Sequence, residues 1–219
     1  VTIIAAYATD DHVVMGCDTA STHDGTFVFR ASTAKILTLT TGTGEPVLFG
    51  ASGHGAILPL LRRNLVLPER PSNRYVDDWA NATAAAITKI LATANPPVTH
   101  NDDGAGLDGN ILMAWRNRIW LVHAHEALPT HGGIAAIGSG RDLALGAMHA
   151  YRVTIAIGDT TQNLIDALGI GRLDPTQPAL PTPAETIVST AVIIAAHLDS
   201  GCRLDERGPH IATTRHTNA

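Results

Sequence analysis

Two short apolar runs on either side of an acidic turn constrain this chain more than any other feature. Thr2-Ile3-Ile4-Ala5-Ala6-Tyr7-Ala8 and His12-Val13-Val14-Met15-Gly16-Cys17-Asp18 flank Thr9-Asp10-Asp11, a pattern of two strands joined by a tight turn. Such a hairpin brings Thr2, where the first strand starts, beside Asp18, where the second ends. A hydroxyl next to a carboxylate is ordinary at strand ends. Its meaning depends on what else the chain sends there.

At 219 residues the chain is long enough to bury a core without staples, and one domain over residues 1–219 is the expectation. With 45% hydrophobic and 16% charged residues it reads as globular. A net charge of -5 and the lack of any Lys/Arg block argue against nucleic acid or an anionic membrane as partner. Cys17 and Cys202 are the only cysteines, too few for a disulfide framework, which points to a reducing cytoplasm. The N-terminus lacks a secretory pattern, and Ile187 to Leu198 is too short to span a bilayer.

Further strands are expected at Thr26 to Arg30, Lys35 to Leu39 and Pro46 to Gly53. Helical spacing follows in Ile57 to Leu65 and Val76 to Leu91, stopped by Pro68 and Pro96-Pro97. After a loop from His100 to Asp108 come a hairpin, Asn110 to Trp115 and Arg118 to His123, and a strand at Ile134 to Ile137. Helices are expected at Arg141 to Tyr151, Thr161 to Leu168 and Ala184 to Leu198, a Pro-rich connection at Asp174 to Pro183, and a closing strand at His210 to Thr214. Runs of strands alternating with runs of helices predict α+β layers.

Lysine occurs only at Lys35 and Lys89. Lys89 fits an exposed helical face, whereas Lys35 opens an apolar strand, where an ammonium is costly unless a carboxylate compensates it. The ordered set Thr2-Ile3-Ile4, Gly16-Cys17-Asp18, Thr22, Lys35-Ile36, Ser52-Gly53, Ile137-Gly138-Ser139-Gly140, Asp199 and Cys202 resembles the proteasome β-subunit family, nearest its bacterial ATP-dependent peptidase subunits. The likeness covers nearly the whole chain.

The resemblance implies an N-terminal nucleophile hydrolase: a four-layer αββα sandwich of two antiparallel sheets between helix layers. It implies a threonine peptidase that needs no cofactor or metal and works in a ring or stacked rings on unfolded polypeptide, with an AAA+ ATPase unfoldase as partner. Thr2 would be the nucleophile, its freed α-amino group the base, and Lys35, held by Asp18, the charge that lowers their proton affinity. Ser139, Asp199 and Cys202 would form the supporting hydrogen bonds, Gly53 would donate its N–H to the oxyanion, and Thr22 and Thr33 would line the acyl-side pocket.

Two alignments stay open. Placing Thr2 as nucleophile keeps sixteen residues to Asp18 without a gap and makes Val1 a residue to be removed. Placing Val1 at the nucleophile position makes the chain an inactive structural subunit of a ring assembly. An amidase or transpeptidase using the same chemistry is a third reading. The sequence departs from the family at Lys35, one residue late, at Ala20, commonly arginine there, at Cys202, usually serine, and in the long connection from Val153 to Pro183. His123 and His125, two apart on an expected strand, share a face that could meet a metal, but no cysteine or carboxylate cluster joins them. Cys17, beside Asp18, reads more simply as a small buried residue than as a nucleophile.

Overall fold

A computed structural model describes residues 2–23, 27–30, 35–69, 75–99, 106–153, 183–199 and 202–215. The strands in chain order are β1 (Ile3–Ala8), β2 (Val13–Cys17), β3 (Ala20–His23), β4 (Phe27–Arg30), β5 (Ile36–Thr40), β6 (Pro46–Gly53), β7 (Gly109–Trp115), β8 (Arg118–His123), β9 (Glu126–Pro129), β10 (Ile134–Gly138) and β11 (His210–Thr213). The helices are α1 (Ile57–Asn64), α2 (Val76–Ala92), α3 (141–153) and α4 (Pro183–Leu198).

The opening hairpin forms as expected. Thr9 sets its turn by accepting the His12 N–H at 3.1 Å and donating to the Asp11 carboxylate at 2.7 Å. Hydrogen bonds from Thr9 and His12 hold the exposed Asp11 carboxyl down at about 2. The hairpin is the centre of a four-stranded antiparallel sheet, β10-β1-β2-β11, which faces a five-stranded antiparallel sheet, β5-β6-β7-β8-β9. The β3–β4 pair is a separate ribbon.

Side chains alternate across each strand, and in β1, β2, β6 and β7 both faces are largely buried, which explains why these strands read as nearly continuous apolar runs. Ile4, Met15, Leu48, Leu112 and Ile137 fill the space between the sheets. Their neighbours Ile3 and Val14 point the other way, into a core with Met148, Val188 and Val192 from α3 and α4. Phe49 and Met113 likewise turn outward to meet Trp79 and Ile87 of α2, where the Trp79 and Trp115 rings lie 4.5 Å apart. The layers run helix, sheet, sheet, helix, as expected.

Two short strands, β3 and β9, were not anticipated by the apolar pattern. His125 falls in the turn between β8 and β9 rather than on a strand, so it does not share a strand face with His123. Among the described residues no group of histidine, cysteine and carboxylate side chains could hold a metal, and no helix is long and apolar enough to cross a membrane. The expected helix at Thr161 to Leu168 and the connection at Asp174 to Pro183 lie outside the described residues, apart from Pro183 itself, which starts α4.

Candidate active site

The antiparallel order brings the start of β1 and the ends of β2 and β10 to one edge of the sandwich, over the start of β5, the end of β6 and the start of β7. There Asp18 lies one residue nearer than expected: its N–H donates to the Ile3 carbonyl at 3.3 Å, and its Oδ1 accepts the Ile3 N–H at 3.0 Å. The carboxylate thus clamps the peptide bond that joins Thr2 to Ile3. Thr2 itself is half-buried.

Lys35 enters from β5 in the opposite sheet and donates from Nζ to the same Asp18 Oδ1 at 2.8 Å. The lysine is 9% exposed and the aspartate 1%. Removing two charges this far from water costs several kcal/mol per ion, so the pair needs its short geometry merely to break even. The aspartate's other oxygen, Oδ2, is buried without a hydrogen-bond partner among the described residues. This is an expensive arrangement for stability alone, and it sits against Thr2.

Ser139 and Cys202 form the neighbouring wall. Their Oγ and Sγ are 3.6 Å apart, and the Cys202 N–H donates to the Asp199 carbonyl at 3.1 Å, which draws the end of α4 to the turn after β10. Burial pushes the Cys202 thiol up to about 11, with the Ser139 hydrogen bond and Lys35 lowering it and the charges of Asp18 and Asp199 raising it further. One thiol therefore feels Asp18, Asp199 and Lys35 together. Burial likewise raises Cys17, next to the pair, to about 12.

Two glycines allow the edge to close. Gly138 has φ +96°, and a Cβ there would lie 1.9 Å from the Thr2 carbonyl oxygen. Gly53 has φ +99° at the end of β6, and a Cβ there would lie 2.5 Å from the Gly109 Cα. Only glycine suits these positions, because the left-handed backbone and the close approach both exclude a side chain. His54, after Gly53, is tied by its N–H to the Asp108 carbonyl at 2.9 Å.

The structure thus joins Asp18 and Lys35 at the Thr2–Ile3 peptide and joins Ser139, Cys202 and Asp199 to one another beyond Gly138, which abuts the Thr2 carbonyl, with Gly53 at the facing strand end. Thr22 lies on β3 opposite Val28, and Thr33 lies outside the described residues. The roles of Gly138 and Gly109 in close approach escaped the reading of the sequence, although the glycine-serine-glycine turn marked the place of the first.

No protein-family model matches the sequence, and no curated protein matches it. Solved structures do match. HslV from Trypanosoma brucei superposes with a TM-score of 0.58 at 19% identity, over 96% of this chain and 98% of that one. Thiobacillus denitrificans BPH gives 0.64 at 18% identity, over 99% and 100%, and the same protein in complex with epoxomicin gives 0.60 at 20% identity, over 96% and 97%. The chain therefore shares the four-layer αββα sandwich fold with HslV and BPH.

Proposed function

We propose that this chain is a single-domain threonine endopeptidase, the peptidase subunit of a self-compartmentalising protease, with Thr2 as nucleophile once the Val1–Thr2 bond is cut. The observation that carries the reading is the buried Lys35–Asp18 pair, 2.8 Å long and clamped to the Thr2–Ile3 peptide bond. A threonine hydroxyl needs an adjacent base. A freed α-amino group supplies one at no structural cost, and general-base help of this kind is worth about 10²- to 10⁴-fold. Lys35 provides positive charge beside the nucleophile, Asp18 holds Lys35 in place, and Ser139, Asp199 and Cys202 orient the amine. The Gly53 N–H stabilises the oxyanion, a contribution of roughly 3–4 kcal/mol. Thr22 and Thr33 line the acyl-side pocket. Assembly into a ring fed by an ATPase unfoldase, in the reducing cytoplasm, completes the proposal; the fold shared with HslV and the two free, buried cysteines support it.

A second reading, an inactive structural subunit, draws on one feature: while Val1 is attached, the Thr2 nitrogen is an amide and cannot act as a base. The test is intact mass and N-terminal sequencing of protein from its own cells, with a fluorogenic peptide assay of the same sample and of Thr2→Ala. Because epoxomicin is bound to the Thiobacillus protein, it is the natural probe. A chain starting at Thr2, with turnover lost in Thr2→Ala and an epoxomicin adduct on Thr2, is expected. A chain that keeps Val1 and stays inert would leave the structural role.

A further inference from the structure

Among the described residues the two sheets differ by one strand, and the difference leaves a groove. β10 is the last strand of the smaller sheet and, among the described residues, pairs only with β1. The larger sheet runs on through β8 and β9, and among the described residues no strand takes the corresponding place beside β10. A cavity of about 450 Å³ occupies it, within the usual range of ligand sites. Its floor is Leu112, Leu121 and Leu128, and its wall includes Ile137 and the outer edge of β10.

One end of this groove reaches the candidate active site. Ile137 precedes Gly138, which abuts the Thr2 carbonyl, and Asn110 follows Gly109, which abuts Gly53. Lys35 and Asp18 lie on the other side of Thr2, toward β2 and β5. The groove therefore begins on the side away from the proposed acyl pocket. Among the described residues Arg141 is the one formally charged side chain that lines it, in a chain whose net charge is -5. Its Nε lies 3.4 Å from the Asp142 carboxylate, an exposed pair in which a substrate carboxylate would take part. An unpaired strand edge above an apolar floor takes an extended peptide by strand addition, with alternate side chains buried.

We infer that this groove binds the leaving-side segment of an extended peptide substrate, with apolar side chains on the floor and a carboxylate at Arg141. The inference rests on the peptidase reading above, but the groove can be tested apart from it. Fluorescence anisotropy of labelled extended apolar peptides carrying a glutamate, measured on wild type, Thr2→Ala, Leu128→Asp and Arg141→Gln, reads binding without turnover. Binding that survives Thr2→Ala and weakens about tenfold in Leu128→Asp is expected. Replacing the glutamate by glutamine should weaken binding to wild type about threefold and to Arg141→Gln not at all, the scale of an exposed ion pair. In turnover, the ratio of kcat/KM for peptides extended on the leaving side to that for substrates with a small leaving group should fall about tenfold in Leu128→Asp. Circular dichroism confirms that each variant is folded. Peptide binding that Leu128→Asp leaves unchanged would overturn the proposal, as would a Leu128→Asp effect on self-association in place of peptide binding. Absence of turnover in wild type, with binding intact, would instead sink the peptidase reading and leave the groove as a peptide site.

Discussion

The Lys35–Asp18 pair allows stability and chemistry to be separated at single residues. Asp18→Asn leaves an ammonium buried without its counter-charge, and Lys35→Met leaves a carboxylate; each should lower unfolding free energy in urea by about 3–5 kcal/mol. The double variant Asp18→Leu/Lys35→Met removes both charges and should regain most of that loss, since apolar replacements of buried pairs are often neutral. Its turnover should nonetheless stay lost. A double variant that regained activity would assign the pair to structure. The two thiols give a pH signature at the same scale. Their folded values, about 12 for Cys17 and about 11 for Cys202, lie above the ordinary 9.0, so the unfolded chain loses these protons first. Their contribution to stability is whole below pH 9 and disappears as pH rises through about 11 to 12, which alkaline denaturation would follow. At pH 8 both remain almost wholly protonated, and the native protein should react with a thiol reagent about 100-fold more slowly than the urea-unfolded chain. Equal rates would show the thiols to be accessible.

Among the elements, the turn after β10 has the least freedom. Gly138→Ala places a Cβ 1.9 Å from the Thr2 carbonyl oxygen on a backbone with φ +96°. Steric overlap and the left-handed penalty together should cost about 2–4 kcal/mol and displace Thr2, abolishing turnover. Gly42→Ala, with nothing within 4 Å of the added carbon, is the matched control and should change stability by less than about 0.5 kcal/mol. Comparable midpoints for the two in urea would refute the close approach. The elements also show what pattern can and cannot report. Strands buried on both faces, such as β1, β2, β6 and β7, announce themselves as apolar runs, and α2 and α4 as helical spacing closed or opened by proline. β9, Glu126-Ala127-Leu128-Pro129, buries only Ala127 and ends in proline, and β3, Ala20-Ser21-Thr22-His23, has no apolar alternation. β9 pairs with its neighbour β8 and rests on α2, where Asn81 accepts the Ala127 N–H, and β3 pairs with β4 in a local ribbon; backbone pairing and a contact from a distant helix leave no apolar period to read. The site shows the same division. The need of Lys35 for a counter-charge could be argued from its apolar strand, and its meeting with Asp18 followed from the resemblance. The groove beside β10 is a difference between two sheets and has no local sequence pattern.

For the whole molecule, the proposed chamber ties activity to assembly. The outer face of α4 is apolar where a monomer would expose it: Ile193 is 46% and Leu198 62% exposed, on a helix whose other side already packs on β1 and β2. Such a face left in water is costly unless a partner covers it, and a second copy is the partner that the proposed ring assembly provides. Sedimentation velocity over a range of concentrations should therefore show self-association, and Ile193→Glu with Leu198→Glu should shift it toward the monomer while circular dichroism stays native. Leu198 directly precedes Asp199 whereas Ile193 lies six positions before it, so Ile193→Glu alone is the control that separates assembly from the site. If peptidase activity requires the assembly, the specific activity of mature protein should rise with concentration along the association curve, and the double variant should lose activity in proportion to its loss of assembly. If instead the dispersed variant turns over peptide as fast as the parent, the site is complete in one copy, and the amidase or transpeptidase reading of the same Thr2 chemistry becomes the better account. An assembly that forms normally yet never cleaves, with Val1 still attached to Thr2, would assign the chain to scaffolding.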